Sequence, residues 1–254
     1  MTSTKENLIL VNAFYTNSII LHDFLEYLKE HFILYFIDLP GFIQAVPPLS
    51  EVNLENYAAY VGKKVDELNL DHFIMGGISF GFLIANRIAL NGNCKGLVAI
   101  TPYINSESLN LHPSRKKAYS WFVNMADSFK PTERLWKTPT IRRLARWYST
   151  YPPERVDIIL DEMDPRTFFK TGKLILTGNE RFIVQDLPYV LVANPQDTTI
   201  KYEYLVKTFK ENVSRLLICD TDIEHFPQKI CKDYFAEKFS PSKIKEITSF
   251  LNNC

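Results

Sequence analysis

Four apolar residues in a row, Leu8-Ile9-Leu10-Val11, recur in kind at Leu97-Val98-Ala99-Ile100 and at Tyr189-Val190-Leu191-Val192-Ala193. A strand with one face in water alternates apolar and polar residues, whereas a run without alternation is covered on both faces. Such strands belong to parallel sheets, whose right-handed crossovers lay helices on either side. The intervening segments supply those helices. Ser18 to Glu30 carries Ile20, Phe24, Leu25 and Leu28 at helical spacing, and Leu54, Tyr57, Val61, Val65 and Leu68 follow the same period behind Ser50, a candidate N-cap. Further strands are expected at Phe32 to Ile37, His72 to Met75 and Gly96 to Ile100, and a helix from Phe80 to about Leu90.

The alternation stops at about Tyr103 and resumes after Pro188. Between them lie helical, aromatic-rich stretches: a stripe of Ala118, Phe122, Met125 and Phe129, an N-cap followed by proline at Thr138-Pro139, and a second stripe of Val156, Ile159, Leu160 and Met163. Lys173 to Thr177 has strand-like composition, but Phe168, Phe169, Leu174 and Ile175 keep helical spacing, so a helix is expected there. Beyond Pro188 come a strand (Tyr189 to Ala193), a helix (Thr199 to Glu211), a strand (Arg215 to Cys219) and helix from Pro227 to Leu251 with a break near Ser240-Pro241. The expected organisation is an α/β core of residues 1–104 and 188–254, interrupted by a helical insertion over 105–187.

The length of 254 residues suits one domain with an insertion and buries a core that needs neither disulfides nor a structural metal. Cys94, Cys219, Cys231 and Cys254 are scattered without metal-ligand spacing and are read as reduced, which suits a cytoplasmic protein. Twenty-nine Lys or Arg balance 29 Asp or Glu, which argues against nucleic acid as a partner. The polar start Met1 to Asn7 gives no signal peptide, and no apolar run reaches membrane-spanning length. Oligomeric state is left open.

Chemistry enters at Gly77-Ile78-Ser79-Phe80-Gly81, directly after an apolar strand and before a helical run. A nucleophile at the tip of so sharp a turn needs flanking residues without a Cβ. With nine Gly in the chain, the chance expectation for Gly-x-Ser-x-Gly is about 0.02 occurrences. The other readings are a close-packed turn or a phosphate cradle, and the latter lacks a G-x-G-x-x-G or G-x-x-x-x-G-K companion. A serine hydroxyl needs a base, and the base an orienting carboxylate. Of five histidines (His22, His31, His72, His112 and His225), only His225 follows the last strand, placing it on the sheet edge that Ser79 occupies. Asp197, in Asn194-Pro195-Gln196-Asp197, follows the strand before that. Asp186 and Glu180 precede that strand, and Asp220, Asp222 and Glu224 read as solvated loop residues. The order Ser79, Asp197, His225 matches one hydrolase architecture among the common triads.

With these elements in place, the chain resembles the α/β-hydrolase fold superfamily, in its capped, esterase-like branch, over nearly its whole length. Asp38-Leu39-Pro40-Gly41 is similar to that family's D-x-x-G turn, Gly77 to Gly81 to its nucleophile elbow, Asn194 to Asp197 to its acid loop, and His225-Phe226-Pro227 to its histidine loop. The resemblance implies a helical cap over 105–187, a mainly parallel sheet of about six strands without the usual N-terminal hairpin, and an oxyanion hole built from the backbone N–H groups of Phe80 and Phe14. Two departures stand out. Val11-Asn12-Ala13-Phe14-Tyr15 replaces the family's His-Gly, and Ile78 and Phe82 replace a His and a Gly around the elbow.

The implied activity is hydrolysis of carboxylic esters with small to medium apolar acyl groups, lactones included, through an acyl-enzyme and with no metal or organic cofactor. Tyr15, Trp121, Phe122 and Phe226 are candidate pocket residues. Tyr119, Phe129, Trp136, Trp147, Tyr148, Phe168 and Phe169 are expected mainly to join the cap helices to the core. From Asn105 to Thr150 nine Lys or Arg face three Asp or Glu, read first as a solvated helix face. Carbon–carbon bond hydrolysis, cofactor-free peroxidation and a non-catalytic ligand-binding role fit the same residues.

Overall fold

In a computed structural model of the chain, the described residues are 5–88, 93–128, 132–149, 151–180, 182–228 and 230–253, without the side chains of 132, 133 and 148. Phe129, the Leu90 end of the third helix, the Tyr148 ring and Cys254 therefore lie outside what is described.

The apolar runs form six strands: β1 (Glu6–Val11), β2 (Phe32–Ile37), β3 (Phe73–Ile78), β4 (Cys94–Ile100), β5 (Tyr189–Ala193) and β6 (Leu216–Asp220). They pair in the order β2-β1-β3-β4-β5-β6, all parallel. The expected six-stranded parallel α/β architecture is the one observed. Successive side chains leave opposite faces of the sheet. Leu8, Leu10, Ile74, Val98, Val190 and Val192 meet α1 (His22–Lys29), α10 (Lys232–Lys238) and α11 (Pro241–Asn252). Ile9, Val11, Met75, Leu97, Ala99 and Leu191 meet α2 (Leu54–Leu68), α3 (Phe80–Ala85) and α9 (Tyr202–Asn212).

Among the described residues five helices lie between β4 and β5: α4 (Pro113–Ser128), α5 (Thr132–Leu135), α6 (Pro139–Tyr148), α7 (Pro153–Glu162) and α8 (Pro165–Thr177). Lys173 to Thr177 is helical, as its spacing predicts. Among the described residues no helix is long and apolar enough to cross a membrane.

Several boundaries differ from expectation. The N-cap of α2 is Asn53 rather than Ser50, because Asn53 has extended backbone and its side chain accepts from Asn56 N. Helix α1 begins at His22 and not Ser18, since Ser18 N–H is taken by Asp38 Oδ1 and Ile20 N–H by Asn17 Oδ1, winding these residues as turns. Strand β3 runs on to Ile78, three residues past Met75, and so delivers Ser79 directly. Residues 227, 228, 230 and 231 are not helical; α10 starts at Lys232.

Strand order reverses at β1, with β2 on one side and β3 on the other. The loops after β1 and β3 diverge there and leave a crevice at the carboxyl edge of the sheet. Both Phe14 and Ser79 lie in those loops.

Candidate active site

The turn after β3 is as tight as its glycines imply. Ser79 has φ 48° and ψ −115°, a strained conformation for a residue with a side chain. Its N–H donates to Ile100 O at 2.9 Å and its C=O accepts from Phe82 N at 3.1 Å, which fixes the turn between β4 and α3. A Cβ at Gly77 would stand 2.3 Å from Phe82 N, and one at Gly81 would stand 2.3 Å from Asn12 O and 2.5 Å from Val11 O. These are backbone atoms that no rotamer change can move. Gly81→Ala is therefore expected to cost about 3 kcal/mol, at the upper end for overpacking. Urea denaturation measures it, and a midpoint equal to wild type would show that the helix can stand off from β1.

Asp197 and His225, the expected acid and base, lie side by side. Asn194 Oδ1 accepts from Gln196 N at 2.8 Å while its Nδ2 donates to Ile223 O at 3.2 Å, joining the loops after β5 and β6. Asp197 Oδ1 accepts from Thr199 N at 2.7 Å and Ile200 N at 3.1 Å, leaving Oδ2 for His225 Nδ1 at 3.3 Å. The two side chains are only 4% and 10% exposed, respectively. Burial alone would raise the Asp197 carboxyl pKa. The His225 bond, its charge and the two backbone N–H groups outweigh burial and hold the pKa below its ordinary value. With Nδ1 donating to the carboxylate, Nε2 is left as the proton acceptor.

The rival acids are otherwise placed. Asp220 accepts from Tyr202 Oη at 2.6 Å, Asp186 pairs with Arg215, and Glu180 pairs with Arg87. Asp222 and Glu224 are exposed.

Ser79 and His225 line one cavity of about 50 Å³, together with Ala13, Phe14, Thr101, Tyr151 and Phe226. Among the described residues Ser79 Oγ has no protein hydrogen-bond partner, and neither has the N–H of Phe14 or of Phe80. A hydroxyl, an imidazole with a free acceptor nitrogen and two unclaimed amide donors can together attack a carbonyl, move its proton and hold an oxyanion.

The loop carrying Phe14 is held by Asn12, a fully buried residue. Asn12 Nδ2 donates to Thr16 O at 2.7 Å and Oδ1 accepts from Leu39 N at 3.0 Å, while Thr16 Oγ1 donates to Ala13 O at 3.0 Å. The left-handed conformation falls on Tyr15, with φ 68°.

Tyr15 does not itself line the cavity; it stacks on Tyr151, centroids 5.5 Å apart and planes within 6°. Tyr151 meets Phe226 edge-on at 5.1 Å. Arg155 of α7 lies 5.7 Å from the Tyr151 ring and donates to Pro227 O and Gln228 O in the loop carrying His225. Trp121 and Phe122, expected in the pocket, do not line this cavity. Trp121, 65% exposed, stands on the side of α4 turned away from α8, and Phe122, 49% exposed, lies at the edge of the α4–α8 contact, its ring edge-on to Phe169 with centroids 6.2 Å apart. Ala13, Thr101 and Tyr151 line the cavity without having been expected there, and Tyr151 is 5% exposed. One of 13 tyrosines, it carries no local pattern to single it out.

No protein-family model matches the sequence, nor does any curated protein sequence. Solved structures match in fold. A hydrolase from Pseudomonas aeruginosa PA01 superposes with a TM-score of 0.66 at 16% identity, covering 98% of this chain and 91% of the other. A thermophilic esterase from Thermogutta terrifontis gives 0.65 at 14%, covering 99% and 91%. The enol-lactonase from Burkholderia xenovorans LB400 gives 0.64 at 13%, covering 98% and 92%. At such identities the likeness is one of architecture: the chain has the α/β-hydrolase fold.

Proposed function

We propose that this α/β-hydrolase fold carries a serine esterase, in which Ser79 is the nucleophile, His225 the general base and Asp197 its orienting acid. The observation that carries the reading is the buried Asp197–His225 hydrogen bond beside a cavity that the strained Ser79 also lines. His225 Nε2 takes the proton from Ser79 Oγ as the oxygen attacks the ester carbonyl. The N–H groups of Phe80 and Phe14 receive the oxyanion, each such donor being worth about 3 kcal/mol in the transition state. Collapse expels the alcohol, which leaves with the proton from His225. Water, deprotonated by the same imidazole, then releases the acid from the acyl-enzyme. Residues 105–187 act as the cap, closing the site through Tyr151.

The substrate class is carboxylic esters, lactones included. A cavity of about 50 Å³ has little more room than one or two water molecules occupy, which favours short acyl groups.

A fluorophosphonate probe is expected to leave one covalent adduct, on Ser79, with kcat/KM on p-nitrophenyl esters falling about tenfold from acetate to octanoate. An enzyme with no adduct and no turnover is a ligand-binding homologue instead. An adduct at Ser79 with turnover that rises along the series would overturn the acyl preference and leave the nucleophile standing.

A further inference from the structure

Helix α4 is packed along one side and carries large, exposed apolar side chains beyond it. Val123 and Ala126 are buried, with Val123 side-chain carbons 3.8 Å from where a Gly172 Cβ would be, in α8. Residues two apart on a helix point roughly 200° apart, so Trp121 and Met125 face away from Val123. Ala118, Trp121, Phe122 and Met125 fall at i, i+3, i+4 and i+7; Trp121 and Met125 point outward, while Phe122 at the edge of the stripe meets the Phe169 ring of α8, centroids 6.2 Å apart. Trp121 is 65%, Phe122 49% and Met125 48% exposed. Large apolar side chains aligned in water in this way mark a surface that meets something.

The charges around the stripe say what. Lys117 stands one turn before Trp121, and α6 repeats the arrangement with Arg143 one turn before Trp147, which is 75% exposed. Neither Lys117 nor Arg143 has an ion-pair partner among the described residues, whereas Arg142 and Arg146 of α6 are neutralised by Asp157 and Asp161. Residues 105–150 hold nine Lys or Arg and three Asp or Glu; because the chain totals are 29 and 29, the remainder carries the matching acidic excess of six. With Arg142 and Arg146 matched by Asp157 and Asp161 outside this stretch, four positive charges of its excess are left, and an anionic surface attracts them. A second copy is disfavoured, since a two-fold contact through this face sets basic residue against basic residue.

We propose that the exposed side of α4, with that of α6, docks peripherally on an anionic lipid bilayer, with Trp121 and Met125 entering the headgroup region and Lys117 and Arg143 facing the acidic headgroups. Exposed tryptophan and clustered basic residues are the chemistry by which helices lie in such an interface. This docking does not depend on the ester chemistry proposed above.

The test is co-flotation of the full chain with vesicles of phosphatidylcholine alone or of phosphatidylcholine with phosphatidylserine. Binding is expected only to the second, with a blue shift of tryptophan emission and release at high salt. Each neutralised basic residue is expected to weaken binding about fivefold, so Lys117→Gln/Arg143→Gln loses on the order of 25-fold. Trp121→Ser/Met125→Ser is expected to remove most of the blue shift, with an unchanged circular dichroism spectrum. Equal flotation with both vesicles, or with neither, overturns the proposal. So does a concentration-dependent dimer in sedimentation equilibrium that Trp121→Ser abolishes, which would assign the face to a second copy.

Discussion

Ser79→Ala is expected to lower kcat on p-nitrophenyl acetate by roughly a million-fold, leaving only the residual rate that binding and the oxyanion donors supply. On the mechanism proposed above, the Ser79 hydroxyl oxygen forms the acyl bond, and alanine removes it. Thr101 also lines the cavity, but Ser79 is the residue at the tip of the elbow. Loss of one hydroxyl at a site already held by glycines on either side leaves the fold intact. A single-turnover assay of the purified variant, with its thermal midpoint as control, measures the effect. Turnover within tenfold of wild type, on the order of ordinary surface substitutions, would falsify the nucleophile assignment.

The second large effect belongs to Asp197→Asn, expected to reduce kcat about ten-thousand-fold while KM changes little. An amide at this position keeps the shape and presents an N–H to His225 Nδ1 in one of its two orientations. That favours the tautomer with the proton on Nε2, where it blocks acceptance of the serine proton. The neighbouring Thr199 and Ile200 N–H groups fix Oδ1 as an acceptor, so the amide nitrogen is driven to the histidine side. Asp222→Asn, on an exposed carboxylate in the same loop as His225, is the matched comparison and is expected to stay near wild type. A larger loss in Asp222→Asn than in Asp197→Asn would move the acid to the histidine loop.

The strands were legible because burial on both faces leaves no room for polar residues, and that demand shows in consecutive letters such as Leu8 to Val11. The three candidate site residues were legible for a related reason: in a parallel sheet every strand ends at the same edge, so residues just past β3, β5 and β6 share a neighbourhood whatever their separation along the chain. Other features depend on tertiary choices. Both Ser50 and Asn53 are good N-cap residues, and what decides between them is the extended backbone that Asn53 adopts. The α4 stripe shows that Ala118, Phe122 and Met125 share a face, but periodicity does not say which face meets the core. The small side chains of Ala126 and Gly172 decide it, letting α4 and α8 approach closely along the other side. Tyr151 reaches the cavity by stacking on Tyr15, 136 positions away, a contact written in no local pattern.

The Arg155 guanidinium clasps the carbonyls of Pro227 and Gln228, and Tyr151 is wedged between Tyr15 and Phe226. One helix thus braces both a wall of the cavity and the segment on which His225 rides. On the mechanism proposed above, substitutions in α7 intended to enlarge the range of substrates are expected to change the speed of the chemistry as well.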